Sequence, residues 1–116
     1  MKNVRFYVCA ICGNTMFSIS EVDTSCCGKT LTALNVSAKT ETHPMTIEEV
    51  EDDYFIKINH EMTKTHYISF VAFVSYDRIL FVKLYPEQNA ELRIPKMCGD
   101  TLYAYCSEHG LWEQKI

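Results

Sequence analysis

Apolar and polar positions alternate with a period near two over most of this chain. Residues 54–58 (Tyr-Phe-Ile-Lys-Ile) alternate, and two apolar-rich runs, 67–76 and 79–84, flank a polar Asp77-Arg78 turn. Residues 31–36 are half apolar, and shorter runs follow at 92–94 and 101–105, with Pro86 and Pro95 marking loops. β-Branched and aromatic residues dominate these runs, which predicts strands. No stretch combines a helical apolar period with caps. The weakest exclusion is residues 44–51, where one short helical turn is possible. Many short strands at close spacing predict an all-β fold, an antiparallel sandwich or barrel.

The first quarter has a different character. Cys9-Ala10-Ile11-Cys12-Gly13 and Cys26-Cys27-Gly28 hold four of the six cysteines, with apolar positions at Met16, Ile19 and Val22 between them. A unit of about 35 residues is too small to fold on an apolar core alone. A metal cross-link supplies what is missing, because metal binding and folding are then one free energy. A C-x-x-C turn aims two thiolates at one point. Glycine after each pair can take positive φ and release backbone N–H groups toward the sulfurs. Consecutive side chains diverge, so Cys26 and Cys27 bind together only with angular distortion. Four thiolates suit zinc or a mononuclear iron, and spacing does not choose between them.

Composition narrows the function. Of 116 residues, 47% are hydrophobic and 22% charged, enough apolar content for a core. Eleven basic against fifteen acidic residues give a formal charge of −4, which argues against a nucleic-acid partner. The four glycines fit no phosphate-cradling loop. The ten-residue run 67–76 is too short to cross a bilayer, and Met1-Lys2-Asn3-Val4-Arg5 leads into no apolar segment, so the expected compartment is the cytosol. In that reducing setting cysteines read as metal ligands or redox groups rather than disulfides.

All four histidines lie beyond the quartet, at His43, His60, His66 and His109. A lone histidine is usually an ordinary surface or core residue. Here His60 and His66 bracket the polar loop 61–65, and His109 closes a C-x-x-H turn begun by Cys106. Loops from different strands of a sandwich gather at one end, which can assemble four imidazoles and one thiolate. Five such ligands leave one octahedral position for a small molecule.

These segments carry a resemblance. Cys9-Ala10-Ile11-Cys12-Gly13-Asn14 with Cys26-Cys27-Gly28-Lys29 resembles the desulforedoxin-type iron domain. Glu41-Thr42-His43, His60-Glu61-Met62, His66-Tyr67-Ile68 and Cys106-Ser107-Glu108-His109-Gly110-Leu111-Trp112 resemble, in order, the superoxide reductase domain of the desulfoferrodoxins. The resemblance implies a desulforedoxin-like domain over residues 1–36, with iron, or zinc, on Cys9, Cys12, Cys26 and Cys27. It implies a seven-stranded immunoglobulin-like sandwich over 37–116, with a second iron held by His43, His60, His66 and His109 and by an axial Cys106. The implied activity is one-electron reduction of superoxide to hydrogen peroxide, with a rubredoxin-like electron donor and a homodimeric assembly. Glu41 matches a carboxylate that can take the sixth position of oxidised iron.

Some positions depart from the family pattern. Thr42 stands where a lysine is usual, with Lys39 and Lys64 as the nearby cations; Glu61 replaces a proline and Phe70 a tryptophan. Cys98 has no counterpart and reads as a semi-buried thiol, while Trp112, Tyr67, Tyr103 and Tyr105 read as core and interface aromatics. Two other readings stay open on the residues alone: an iron electron carrier or small-ligand sensor of the same fold, and a zinc-stapled interaction module.

Overall fold

A computed structural model describes residues 4–36, 45–97 and 99–116. Its eleven regular elements are all strands, as the period-two pattern predicts. The chain divides into two units, Met1–Asn35 and Val36–Ile116.

The first unit consists of two hairpins. Strands β1 (Arg5–Val8) and β2 (Thr15–Ser18) pair antiparallel, as do β3 (Thr24–Cys26) and β4 (Lys29–Leu31). The Leu34 N–H donates to the Phe6 carbonyl at 2.8 Å and ties the end of this unit back to β1. Among its described residues only Phe6, Tyr7 and Cys9 are buried, while Ile11, Phe17, Ile19 and Val22 are exposed. That is the small core expected of a chain segment that needs a cross-link.

The second unit is a seven-stranded sandwich. One sheet has the order β5 (Met45–Val50), β6 (Asp53–Ile58), β9 (Glu91–Pro95). The other runs β11 (Gly110–Lys115), β10 (Gly99–Cys106), β7 (Ile68–Ser75), β8 (Ile79–Lys83). The chain crosses between sheets after β6, β8 and β9, the connectivity of an immunoglobulin-like fold. Ile56, Ile58, Leu92 and Ile94 from one sheet meet Val71, Phe73, Leu102, Ala104, Cys106 and Trp112 from the other in one buried cluster. Tyr54 and Phe73 stack across the two sheets with ring centroids 6.4 Å apart.

Three details differ from the sequence reading. Residues 45–50 form β5 rather than a helical turn: Met45 is buried and Ile47 packs on the core, while Thr46, Glu48 and Glu49 keep to the exposed or rim side of an edge strand. Residues 31–36 are not one strand, because β4 ends at Leu31 and Val36 makes only an isolated bridge to Leu111. The strands β1, β2, β3 and β11 were not legible as apolar runs. The Asp77-Arg78 turn stands, closed by Ser75 N–H donating to the Arg78 carbonyl at 2.9 Å.

Strand β7 carries the irregularity that matters for the site. Ile68 and Val71 both enter the core, yet residues three apart in a regular strand face opposite sides. A register shift resolves this: Tyr105 pairs with Phe70 but Cys106 pairs with Ile68, leaving Ser69 as the extra residue of a bulge. The bulge takes in Cys106 and begins two residues after His66, both proposed ligands, at the end of the sandwich where β6 finishes and β7 begins.

Truncating Phe73, 1% exposed, is expected to leave a cavity between the sheets. Phe73→Ala should lower stability by about 3–5 kcal/mol in urea denaturation followed by tryptophan fluorescence. Ile19→Ala, at a position 60% exposed, should stay within about 0.5 kcal/mol.

Candidate metal centres

The cysteine quartet sits on the tips of the two small hairpins. Residues 9–14 join β1 to β2, and their fold is fixed by Cys9 N–H donating to the Asn14 carbonyl (2.9 Å) and Gly13 N–H to the Cys9 carbonyl (2.8 Å). Gly13 takes φ +78°, as the turn after C-x-x-C requires. Cys27 and Gly28 form the two-residue loop between β3 and β4, with φ +54° and +76°. Positive φ at both positions is the signature of a type I′ turn. A left-handed cysteine was not foreseen, and it answers the objection that neighbouring side chains diverge. With the backbone reversed at Cys27, its sulfur comes to 3.8 Å from that of Cys26, and Cys26 is 3.5 Å from Cys12.

The ligand atoms of Cys9, Cys12, Cys26 and Cys27 lie within 4.8 Å of one another. A tetrahedron with metal–sulfur bonds of about 2.3 Å has edges of about 3.8 Å, so the quartet fits one ion. The thiols differ in acidity. Backbone N–H groups of Cys12 and then Ile11 donate to the Cys9 sulfur and lower its pKa to about 6. The crowd of sulfurs, Cys12 first and Cys26 next, pushes Cys27 up to about 12. Cys12 and then Cys9 also raise Cys26.

The second cluster gathers at the bulged end of the sandwich. His60 follows β6, His66 precedes β7, Cys106 ends β10, and His109 lies in the three-residue loop before Gly110, which takes φ +90°. The ligand atoms of His60, His66, Cys106 and His109 also fall within 4.8 Å of one another. The Cys106 sulfur is 3.4 Å from both His60 Nε2 and His109 Nδ1, and His66 Nε2 is 3.4 Å from His109 Nδ1. The three rings stand edge to face, with interplanar angles of 77–83°. Cys106 is fully buried and belongs to the core, whereas His109 is exposed, so the sulfur approaches from beneath and the imidazoles form the rim. A mixed imidazole and thiolate set suits iron, copper or zinc rather than magnesium or calcium.

The Nδ1 atoms of His60 and His66 are occupied. His60 Nδ1–H donates to the Glu61 carbonyl, and His66 Nδ1–H donates to Glu61 Oε2 at 2.9 Å, with Glu108 Oε2 at 3.7 Å. Burial is the largest influence on His60 and lowers its pKa, which keeps the ring neutral. Ser107 ties the two ligand loops together. Its N–H donates to the Tyr67 carbonyl (3.0 Å), its Oγ accepts from Tyr67 N–H (3.1 Å), and its hydroxyl donates to the Thr65 carbonyl (3.2 Å). Sequence reasoning missed this staple because its partners lie 40 residues away, beyond any local motif.

Glu41, Thr42, His43, Lys39 and Cys98 lie outside the described residues. Lys64 is exposed in the 61–65 loop. Among the described residues no helix is long and apolar enough to cross a membrane.

Two clustered donor sets on an all-β frame define a class of protein able to hold two mononuclear metal ions. The Desulfoferrodoxin family profile matches residues 19–115. The chain belongs to the desulfoferrodoxin family. A desulfoferrodoxin from Desulfarculus baarsii is 25% identical over 121 residues, covering 97% of this chain and 96% of that protein. One from Clostridium acetobutylicum is 36% identical over 59 residues, 51% of this chain and 47% of that protein. The crystal structure of the superoxide reductase from Treponema pallidum has the same fold, with a TM-score of 0.84, 21% identity and 97% of each chain covered.

Two outcomes are expected from this geometry. Stripping metal from the quartet with a chelator should expose the segment between Cys9 and Cys27 to protease while the sandwich resists, as read by mass spectrometry of the fragments. Ser107→Ala removes two hydrogen bonds that join the ligand loops and should lower stability by about 1–2 kcal/mol in denaturant titration.

Proposed function

We propose that this protein is a non-haem iron superoxide reductase with an accessory iron site, working on superoxide in the cytosol as a homodimer supplied by a rubredoxin-like donor. The observation that carries the reading is the convergence of His60, His66, His109 and the buried Cys106 sulfur on one point beneath a solvent-facing rim. The residues that would hold the iron are His43, His60, His66 and His109 as imidazole ligands and Cys106 as the thiolate ligand. Cys9, Cys12, Cys26 and Cys27 hold the accessory iron, for which zinc is a chemical substitute. Residues 1–36 form the accessory domain and 37–116 the reductase domain.

Chain connectivity supports His43. Met45, two residues after it, pairs with Ile58, which lies two residues before His60. The proposal therefore takes His43 as the imidazole supplied from the chain that precedes β5. Glu41 enters the proposal as the carboxylate of the same motif.

Ferrous iron held by this set supplies one electron and an open coordination position for a small anion. Superoxide takes up that electron and two protons and leaves as hydrogen peroxide, so no oxygen is released. Cys106 sits in the core, where a metal-bound thiolate would be poorly screened and would donate electron density to the ion. Neutral imidazoles add no charge, so one thiolate leaves a net positive centre that attracts an anion despite the acidic chain. Charges elsewhere on the surface weigh less, because they are screened over about 8 Å at physiological salt. The exposed His109 side of the rim is open to water, which can deliver both protons.

Iron-loaded, prereduced protein should consume superoxide with one hydrogen peroxide formed per superoxide and no oxygen evolved. Consumption no faster than in buffer, or oxygen release at the stoichiometry of dismutation, would overturn the reading. In the air-oxidised protein Cys106→Ser should abolish the thiolate-to-iron charge-transfer band. A band that persists would remove Cys106 from the ligand set.

A further inference from the structure

One residue contacts two of the three clustered imidazoles. Glu61 accepts from His60 Nδ1–H with its backbone carbonyl, and from His66 Nδ1–H with its carboxylate at 2.9 Å. Both rings thereby carry the proton on Nδ1 and turn Nε2 toward the focus where the Cys106 sulfur lies. An imidazole has one proton to place, and the nitrogen that donates it is lost as a ligand. Holding that proton on Nδ1 selects the ligating tautomer before any ion arrives.

Glu61 is itself held on a short leash. Its neighbour Met62 packs against the core, and its sulfur accepts from Ile68 N–H at 3.3 Å. The Met62 carbonyl accepts from Glu87 N–H. Across the loop, Thr63 N–H donates to the His66 carbonyl at 3.0 Å, and His66 N–H donates back to Thr63. The backbone on both sides of the pair is thus anchored, and the Glu61 side chain, 60% exposed, reaches His66 from that fixed base. Among the described residues Glu108 is the other carboxylate near His66 Nδ1, at 3.7 Å, outside hydrogen-bond distance.

We infer that Glu61 is a positioning residue for the imidazole and thiolate centre: its carboxylate holds the Nδ1 proton of His66 and presents Nε2 to the metal, while its carbonyl does the same for His60. The inference rests on the proposed metal centre. Carboxylates that orient ligating histidines are worth about 10- to 100-fold in metal affinity.

The test uses the full chain with and without cobalt(II). In metal-free protein, nitrogen-15 spectra of the histidine side chains should show His66 protonated at Nδ1. Glu61→Ala/Glu108→Ala removes both nearby carboxylates, and the Nε2–H form should then appear. Cobalt(II) binding at this centre, followed by its thiolate charge-transfer band, should weaken about 10- to 100-fold. Glu61→Gln/Glu108→Ala keeps an oxygen acceptor and should restore the tautomer and most of the affinity, while Glu108→Ala alone should match the parent. A double alanine variant with the parent's tautomer and affinity overturns the inference, as does a full effect from Glu108→Ala alone. If the parent binds no cobalt(II) with a Cys106-dependent band, the metal-centre reading fails instead. The tautomer spectra of the metal-free protein then still decide what Glu61 does.

Discussion

The chemistry of this protein depends on a buried sulfur delivered to the end of a strand. Cys106 is a core residue by packing and also brings its sulfur into the cluster with His60, His66 and His109, and the bulge between β10 and β7 reconciles the two. With Ser69 as the extra residue, Ile68 turns inward beside Cys106, and the chain just before it, which bears His66, arrives next to the sulfur. A fully regular ladder would place Ile68 on the opposite face and leave the loops that carry the imidazoles with a different approach. The site is therefore built from a local fault in the sheet, held in register by seven strands of ordinary packing.

The two units solve the same problem by different means. The sandwich has a cross-sheet core of large apolar side chains and positions its ligands on rigid strand ends. The small unit buries three described residues and places its four sulfurs on hairpin tips, where turn chemistry does the positioning. In the first case the fold holds the site; in the second the site completes the fold.

The sequence exposed the chemistry better than the edges of the structure. Cysteine and histidine spacings pointed to both donor sets, because ligand residues are few and their order along the chain survives folding. The central strands β6, β7 and β10 were legible, since strands flanked on both sides carry the clearest apolar pattern, and the edges β8 and β9 were legible through short apolar runs of their own. The strands missed or misread were largely edges: β5, with Thr46, Glu48 and Glu49, and β11, with Glu113, Gln114 and Lys115. Edge strands carry polar residues that discourage pairing with other chains, and that blurs their period. The Ser107 staple and the twofold use of Glu61 join residues that only tertiary structure brings together. The left-handed Cys27 was hidden for a different reason: glycine, not cysteine, is the usual marker of positive φ.

The closeness of the quartet also bears on how the protein survives air. Cys12 and Cys26 hold their sulfurs 3.5 Å apart, and Cys26 and Cys27 theirs 3.8 Å apart, against about 2.05 Å in a disulfide. An oxidant therefore meets thiols already gathered, one of them acidified by backbone amides. A bound ion would occupy the lone pairs that such oxidation needs, so a metal cross-linking the hairpins would double as a protecting group for its own ligands.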